Sequence, residues 1–154
     1  MVKNTLSIGS HVFKVHSTTF RYITDDRQGK PGWEFNICTE GINTFSLEDF
    51  WCDNGVRFYA EGDPIPLPSL PDLVGQKIYL KEPFDEESGD PYFSVYIGEH
   101  GDVDELTMRF LERDESRYHI AIEARLPAGS LFHEDQRLTI DTWIEQLPPG
   151  KYGS

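Results

Sequence analysis

The sequence predicts an α+β fold, predominantly antiparallel β, in which two pseudo-repeated βββα halves pack as one compact domain. Three observations predict it. Apolar and polar residues alternate in short runs along the chain, the mark of strands with one buried face. The order of those runs recurs. Two stretches instead carry apolar residues at helical spacing. Length fits one domain, since a chain of 154 residues buries roughly 68–70% of its extended surface.

The first half spans 11–60. Phe13 and Val15 alternate with Val12, Lys14 and His16, and Phe20 and Tyr22 with Arg21 and Ile23. Trp33, Phe35 and Ile37 alternate with Glu34, Asn36 and Cys38. Leu47, Phe50 and Trp51 then stand at i, i+3, i+4. Ser46 is placed to cap that helix and Phe45 to staple onto Phe50. Asn54-Gly55 is suited to end it in a left-handed cap.

A proline-rich connection, 61–91, joins the halves. Strand-like Val56–Ala60 and Lys77–Leu80 flank its most proline-rich stretch, Asp63–Pro71. Prolines 64, 66 and 68 cannot donate ladder hydrogen bonds, so an extended crossover is expected, burying Ile65, Leu67 and Leu70.

The second half spans 92–147. Phe93, Val95 and Ile97 alternate with Ser94 and Tyr96; Met108 and Phe110 with Thr107 and Arg109; Tyr118, Ile120 and Ile122 with His119, Ala121 and Glu123. Ile140, Trp143, Ile144 and Leu147 form the second helical stripe, with Thr139 as its cap, Leu138 stapled to Trp143, and Pro148-Pro149 as its stop. A strand over 138–144 is the alternative. Val12–His16 aligns with Tyr92–Tyr96, Thr19–Asp26 with Thr107–Asp114, Trp33–Thr39 with Tyr118–Ala124, and Phe45–Trp51 with Leu138–Ile144. All length changes fall between elements, where insertions are tolerated.

Fourteen Lys and Arg against twenty-seven Asp and Glu leave a net charge of −13. That argues against nucleic acid, whose phosphates would be repelled. No apolar run approaches the ~18 residues of a membrane span, and the first ten residues lack the apolar region of a signal peptide. A cytoplasmic address and reduced Cys38 and Cys52 follow as expectations. The acidity is uneven. Residues 82–116 hold twelve acids and two bases, and predicted connections at 82–91, 98–105 and 112–117 hold most of the acids. Loops at one end of a sheet assembly converge in space, and a converged acidic patch steers a basic partner.

Catalytic and metal signatures are sparse. Asp85-Glu86-Glu87-Ser88-Gly89-Asp90 lacks the order of a calcium-binding loop. His100-Gly101-Asp102 and His133-Glu134-Asp135 offer ligands without a second cluster. His119 is the best-placed histidine, on the polar side of a strand with Glu123, where cross-strand hydrogen bonding suits it better than catalysis. No cofactor, metal or catalytic residue is assigned.

A small, strongly acidic chain without catalytic motifs resembles in kind the bacterial immunity proteins that neutralise nuclease-type toxins. Charge and size carry that likeness. It implies a non-enzymatic binder that masks a basic protein surface. The expected partner-binding residues are Asp85, Glu86, Glu87, Asp90, Glu99, Asp102, Asp104 and Glu105, with Tyr92 and Tyr96 as aromatic anchors. The alternatives are a small-molecule-binding or enzymatic β-fold with a cleft between the halves, favoured by a deep pocket holding His119 with a carboxylate, or a structural subunit of a larger assembly.

Overall fold

The computed structural model describes residues 1–24, 31–41, 46–47, 50–51, 55–81, 84, 89, 91–97, 99–129 and 132–151. Among them every regular element is a strand: β1 (Thr5–Ile8), β2 (His11–Ile23), β3 (Gly32–Thr39), β4 (Ser46–Leu47), β5 (Phe50–Trp51), β6 (Arg57–Asp63), β7 (Lys77–Leu80), β8 (Ser94–Tyr96), β9 (His100–Asp102), β10 (Leu106–Asp114), β11 (Arg117–Leu126) and β12 (Gln136–Gln146). Ten of them form one sheet in the order β7-β10-β11-β12-β1-β2-β3-β6-β8-β9, and β4 and β5 pair separately.

This overturns the α+β expectation and its two βββα halves. The stretch 138–147, expected as a helix, lies almost wholly within β12, which pairs along its length with β11 and, through Leu138–Asp141, with β1. Ile140 and Ile144 are four apart, a spacing that puts two residues on one face of a helix and of a strand alike. Leu138 and Thr142 decide between them, because both are buried on the same face as the isoleucines. Thr142 reads as polar, yet its hydroxyl donates to Asn4 Oδ1 at 3.2 Å. Thr139 therefore caps nothing, and Leu138 and Trp143 stand on opposite faces rather than stapled. Over 45–51, Ser46–Leu47 and Phe50–Trp51 pair as strands; Phe45, Glu48 and Asp49 lie outside the described residues. Gly55 does take a left-handed φ of 78°, but it leads into β6. A Cβ there would meet Glu40 O at 2.7 Å.

The repeat alignment also parts from the strands. Its first two units in the N-terminal half are one strand, β2, whereas their counterparts are separated into β8 and β10. Phe13 and Phe20 are seven apart, an odd spacing that an unbroken strand sends to opposite faces. A register shift between Val15 and Ser17 corrects the parity, and both rings are buried.

Connectivity forces the sheet to curl. β9 ends the sheet and β10 lies eight positions away, so on a flat sheet they would be roughly 38 Å apart at about 4.8 Å per strand. Only Val103, Asp104 and Glu105 join them, a reach of at most about 14 Å. The result is a half-barrel whose two edges approach each other. Phe20 on β2 accordingly meets Phe110 and Tyr118 across the interior, each at 5.8 Å between centroids, as well as Phe35 next to it at 5.4 Å.

Past the start of β1 the sheet opens into a wedge. Asn4, at a left-handed φ of 55°, fills it. Its carbonyl accepts from Val15 N at 2.9 Å and its side chain from Trp143 N at 3.3 Å. Beyond it β12 and β2 meet directly in parallel at Glu145–Thr19 and Gln146–Phe20. The proline-rich crossover straps the interior. Ile65, Leu67 and Leu73 are buried, while Leu70, expected inside, is 40% exposed. Trp33 Nε1 donates to Leu67 O at 2.7 Å, and Leu73 N donates to Tyr118 Oη at 3.2 Å. No helix among the described residues is long and apolar enough to cross a membrane.

Candidate functional site

The curl places five of the ten expected partner-binding residues, Tyr96, Glu99, Asp102, Asp104 and Glu105, along the line where the edges approach. Asp85, Glu86, Glu87 and Asp90 lie outside the described residues; Phe84 and Pro91, which bound that loop, form a bridge. Tyr92 is half-buried and packs on the core, so it is not an open anchor. Tyr96 is 38% exposed on the outer face of β8. Glu99 lies in the turn after β8 and Asp102 at the end of β9, both exposed. Asp104 and Glu105 follow after Val103, in the link that leads into β10.

Side-chain size explains why Tyr96 stands out. Its row across the sheet runs Cys38, Arg57, Tyr96, His100; the next row runs Asn36, Tyr59, Ser94, Asp102. Ser94 is short, so Tyr59 reaches past it and its hydroxyl meets His100 Nδ1 at 3.0 Å. Arg57 lies over the Tyr59 ring, 4.1 Å from its centroid, and its Nε donates to Asn36 Oδ1 at 2.7 Å. Tyr96 then packs edge-on against His100 at 4.9 Å. Tyr59, 8% exposed, is the prop, and Tyr96 is the ring left facing outward.

Asp104 and Glu105 are held by neighbours. Asp104 pairs with Arg125, whose guanidinium binds its proton more tightly than usual because of that hydrogen bond and charge. Tyr79 Oη donates to Glu105 at 2.8 Å. That bond, with some burial and the carboxylate's charge, raises the phenol above its ordinary 10.0. Of the four remaining acids of the acidic stretch, Glu82 lies outside the described residues, Glu112 and Asp114 sit toward the far end of β10, and Glu115 follows in the turn. Seven residues at about 3.4 Å each put Glu112 roughly 24 Å from Glu105. Asp114 pairs there with Arg117 at 2.9 Å.

His119 faces outward from β11, and its partner is Asp141 on β12 at 2.7 Å rather than Glu123. A register shift after Phe110 turns Glu112 toward the imidazole at 4.0 Å. This carboxylate–imidazole–carboxylate row lies on the convex face, beside Trp143. Among the described residues no three His, Cys, Asp or Glu side chains gather as a metal site. Asp135 accepts from Ala128 N at 2.7 Å. Cys38 is a free, half-buried thiol; Cys52 lies outside the described residues.

Sequence reasoning passed over two features of the outer face. Cross-strand register makes neighbours of Tyr79, Thr107 and Glu123, and that register could not be read from the sequence. Val74 and Leu111, 41% and 44% exposed, each adjoin the backbone bond in which Gly75 N donates to Phe110 O at 2.9 Å. No protein-family model, curated protein or solved structure matches this chain.

Proposed function

We propose that this chain is a non-enzymatic, cytoplasmic protein that binds and masks a basic surface on a partner protein, in the manner of an immunity protein against a nuclease-type toxin. The observation that carries this reading is the β8–β9 hairpin: an outward-facing Tyr96, fixed from behind by His100 and Tyr59, beside the exposed carboxylates Glu99 and Asp102. A rigid aromatic ring supplies contact area at little entropic cost, and carboxylates around it steer a cationic surface into register. The net charge of −13 extends that steering over longer range. The cleft-enzyme alternative asked for a deep pocket around His119; its Asp141 pair lies on a convex face instead.

The test is affinity capture from the native host with the full chain, Tyr96→Ala, and the Glu99→Gln/Asp102→Asn double variant. The wild type should retain a strongly basic protein, released as salt rises from 50 to about 500 mM. Tyr96→Ala should lose it by faster dissociation, and the charge variant by slower association. Retention of the same basic protein by both variants, with unchanged rates, would overturn the assignment of this hairpin.

A further inference from the structure

Arg57 is an exposed guanidinium whose position is fixed and whose charge is unanswered. It lies 4.1 Å over the ring of Tyr59, itself only 8% exposed, and its Nε donates to Asn36 Oδ1 at 2.7 Å. Ring and amide together set the plane of the group. Nη1 and Nη2 have no acceptor among the described residues. Acids outnumber bases by 27 to 14 in this chain, and the other arginines show it. Arg21, Arg113, Arg117, Arg125 and Arg137 each stand within 4.0 Å of a carboxylate. Arg57 has no carboxylate partner among the described residues. Arg109 lacks one too, but among those residues no hydrogen bond or ring orients it.

The place of Arg57 in the sheet gives this a meaning. Its direct cross-strand neighbours are Cys38 on β3 and Tyr96 on β8. An ordered cation without an internal counter-ion thus stands beside the outward ring of the β8–β9 hairpin. Because Nε is already taken by Asn36, the end-on pair of donors, Nη1 and Nη2, is what remains to receive a planar anion.

We propose that Arg57 receives one carboxylate of the partner protein, the side chain of an aspartate or glutamate set among that partner's basic residues. The proposal rests on the reading of this hairpin as the contact for a basic surface, and it names the group that sets the register. A dianionic phosphate would meet Glu99, Asp102 and a net charge of −13, whereas a carboxylate carries one charge and matches the fork of two N–H groups. The acids draw in a cationic surface, and Arg57 repels any such surface that brings a lysine to this position. An exposed pair adds little affinity, so the effect is selection among basic surfaces. Because Tyr59 and Asn36 already order the side chain, little rotamer freedom is left for pairing to remove.

The test is a shift titration of the isotope-labelled full chain at about 20 mM salt, read at the Arg57 Nε and Tyr96 amide resonances. The probes are Nα-acetyl-Lys-Lys-Glu-Lys-Lys-amide and the same peptide with Gln in place of Glu. The Gln peptide carries one more positive charge, so general attraction to an acidic chain ranks it the tighter binder; pairing at Arg57 reverses that order. The expected result is saturation by the Glu peptide with Kd on the order of 10 mM, about threefold tighter than the Gln peptide. Arg57→Gln should restore the ranking set by charge. Arg57→Lys, which keeps the charge without the fork, should narrow the preference. Arg57 is exposed, so neither change threatens folding. Absence of saturation, a Gln peptide that binds the wild type as tightly as the Glu peptide, or a preference that survives Arg57→Gln overturns the proposal. Failure here with Tyr96-dependent capture intact removes the carboxylate pairing and leaves the binding reading standing. A preference for Glu here with no basic protein captured removes the broader reading and leaves Arg57 as a carboxylate site.

Discussion

Replacing Trp33 by phenylalanine tests how the proline-rich strap is held over the interior. Trp33 is 2% exposed, and its indole N–H is the donor for Leu67 O at 2.7 Å. Phenylalanine keeps an aromatic ring against Phe20 and Tyr22 but removes that donor. A buried carbonyl left without a partner costs about 1–3 kcal/mol. The volume lost with the smaller ring adds about 1 kcal/mol. At roughly 2–4 °C per kcal/mol for a chain of this size, Tm should fall by about 4–16 °C. Tyr118→Phe breaks the second latch, to Leu73 N, and should cost about 1–3 kcal/mol. Because both bonds fasten one segment, the double variant should lose less than the two single losses added together. Urea unfolding reads the stabilities, and hydrogen exchange at the Leu73 amide reads the strap. A Trp33→Phe protein within about 0.5 kcal/mol of wild type, with Leu73 equally protected, would refute the latch. Burial of Ile65, Leu67 and Leu73 would then hold the strap alone.

Three further outcomes are expected. Phe20→Ala, which empties the centre of the aromatic cluster, should cost about 3–5 kcal/mol in urea unfolding. Asn4→Ala should cost about 1–2 kcal/mol, from a side chain without Cγ at positive φ and the loss of the acceptor for Thr142 and Trp143; Asn4→Gly, which relieves the backbone, should recover part of it. Tyr79 should ionise above the ordinary 10.0 in an ultraviolet titration, and Glu105→Ala should bring it back. Because folding raises that pKa, the associated stabilisation is complete below about pH 10 and is lost as pH climbs through the folded value.

Most strands were legible because one buried face imposes alternation. Trp33, Phe35 and Ile37, then Tyr118, Ile120 and Ile122, are all buried as the period of two requires. β12 was misread because Ile140 and Ile144 satisfy both periods and because Thr142, the buried residue between them, is satisfied by Asn4 from the far end of the chain. β1 and β9 are three or four residues long, too short for any period to register. At the outer face, Tyr96 was legible as an aromatic within an acidic stretch. The Tyr79–Thr107–Glu123 row was not, since it depends on how β7, β10 and β11 are offset. Crowding of carboxylates in sequence also overstated their crowding in space: a nine-residue strand carries Glu112 and Asp114 far from Glu105.

The seating of β1 has a consequence for how the protein is made. This four-residue strand joins β2 to β12, and its partners Leu138–Asp141 lie 130 or more residues downstream. A ribosome must therefore have released the chain past Asp141 before the two flanks of the sheet can be stitched. Until then Leu6 and Ile8 wait without their β12 partners, so the neighbouring strands can pair locally but the joining of the flanks depends on one distant encounter.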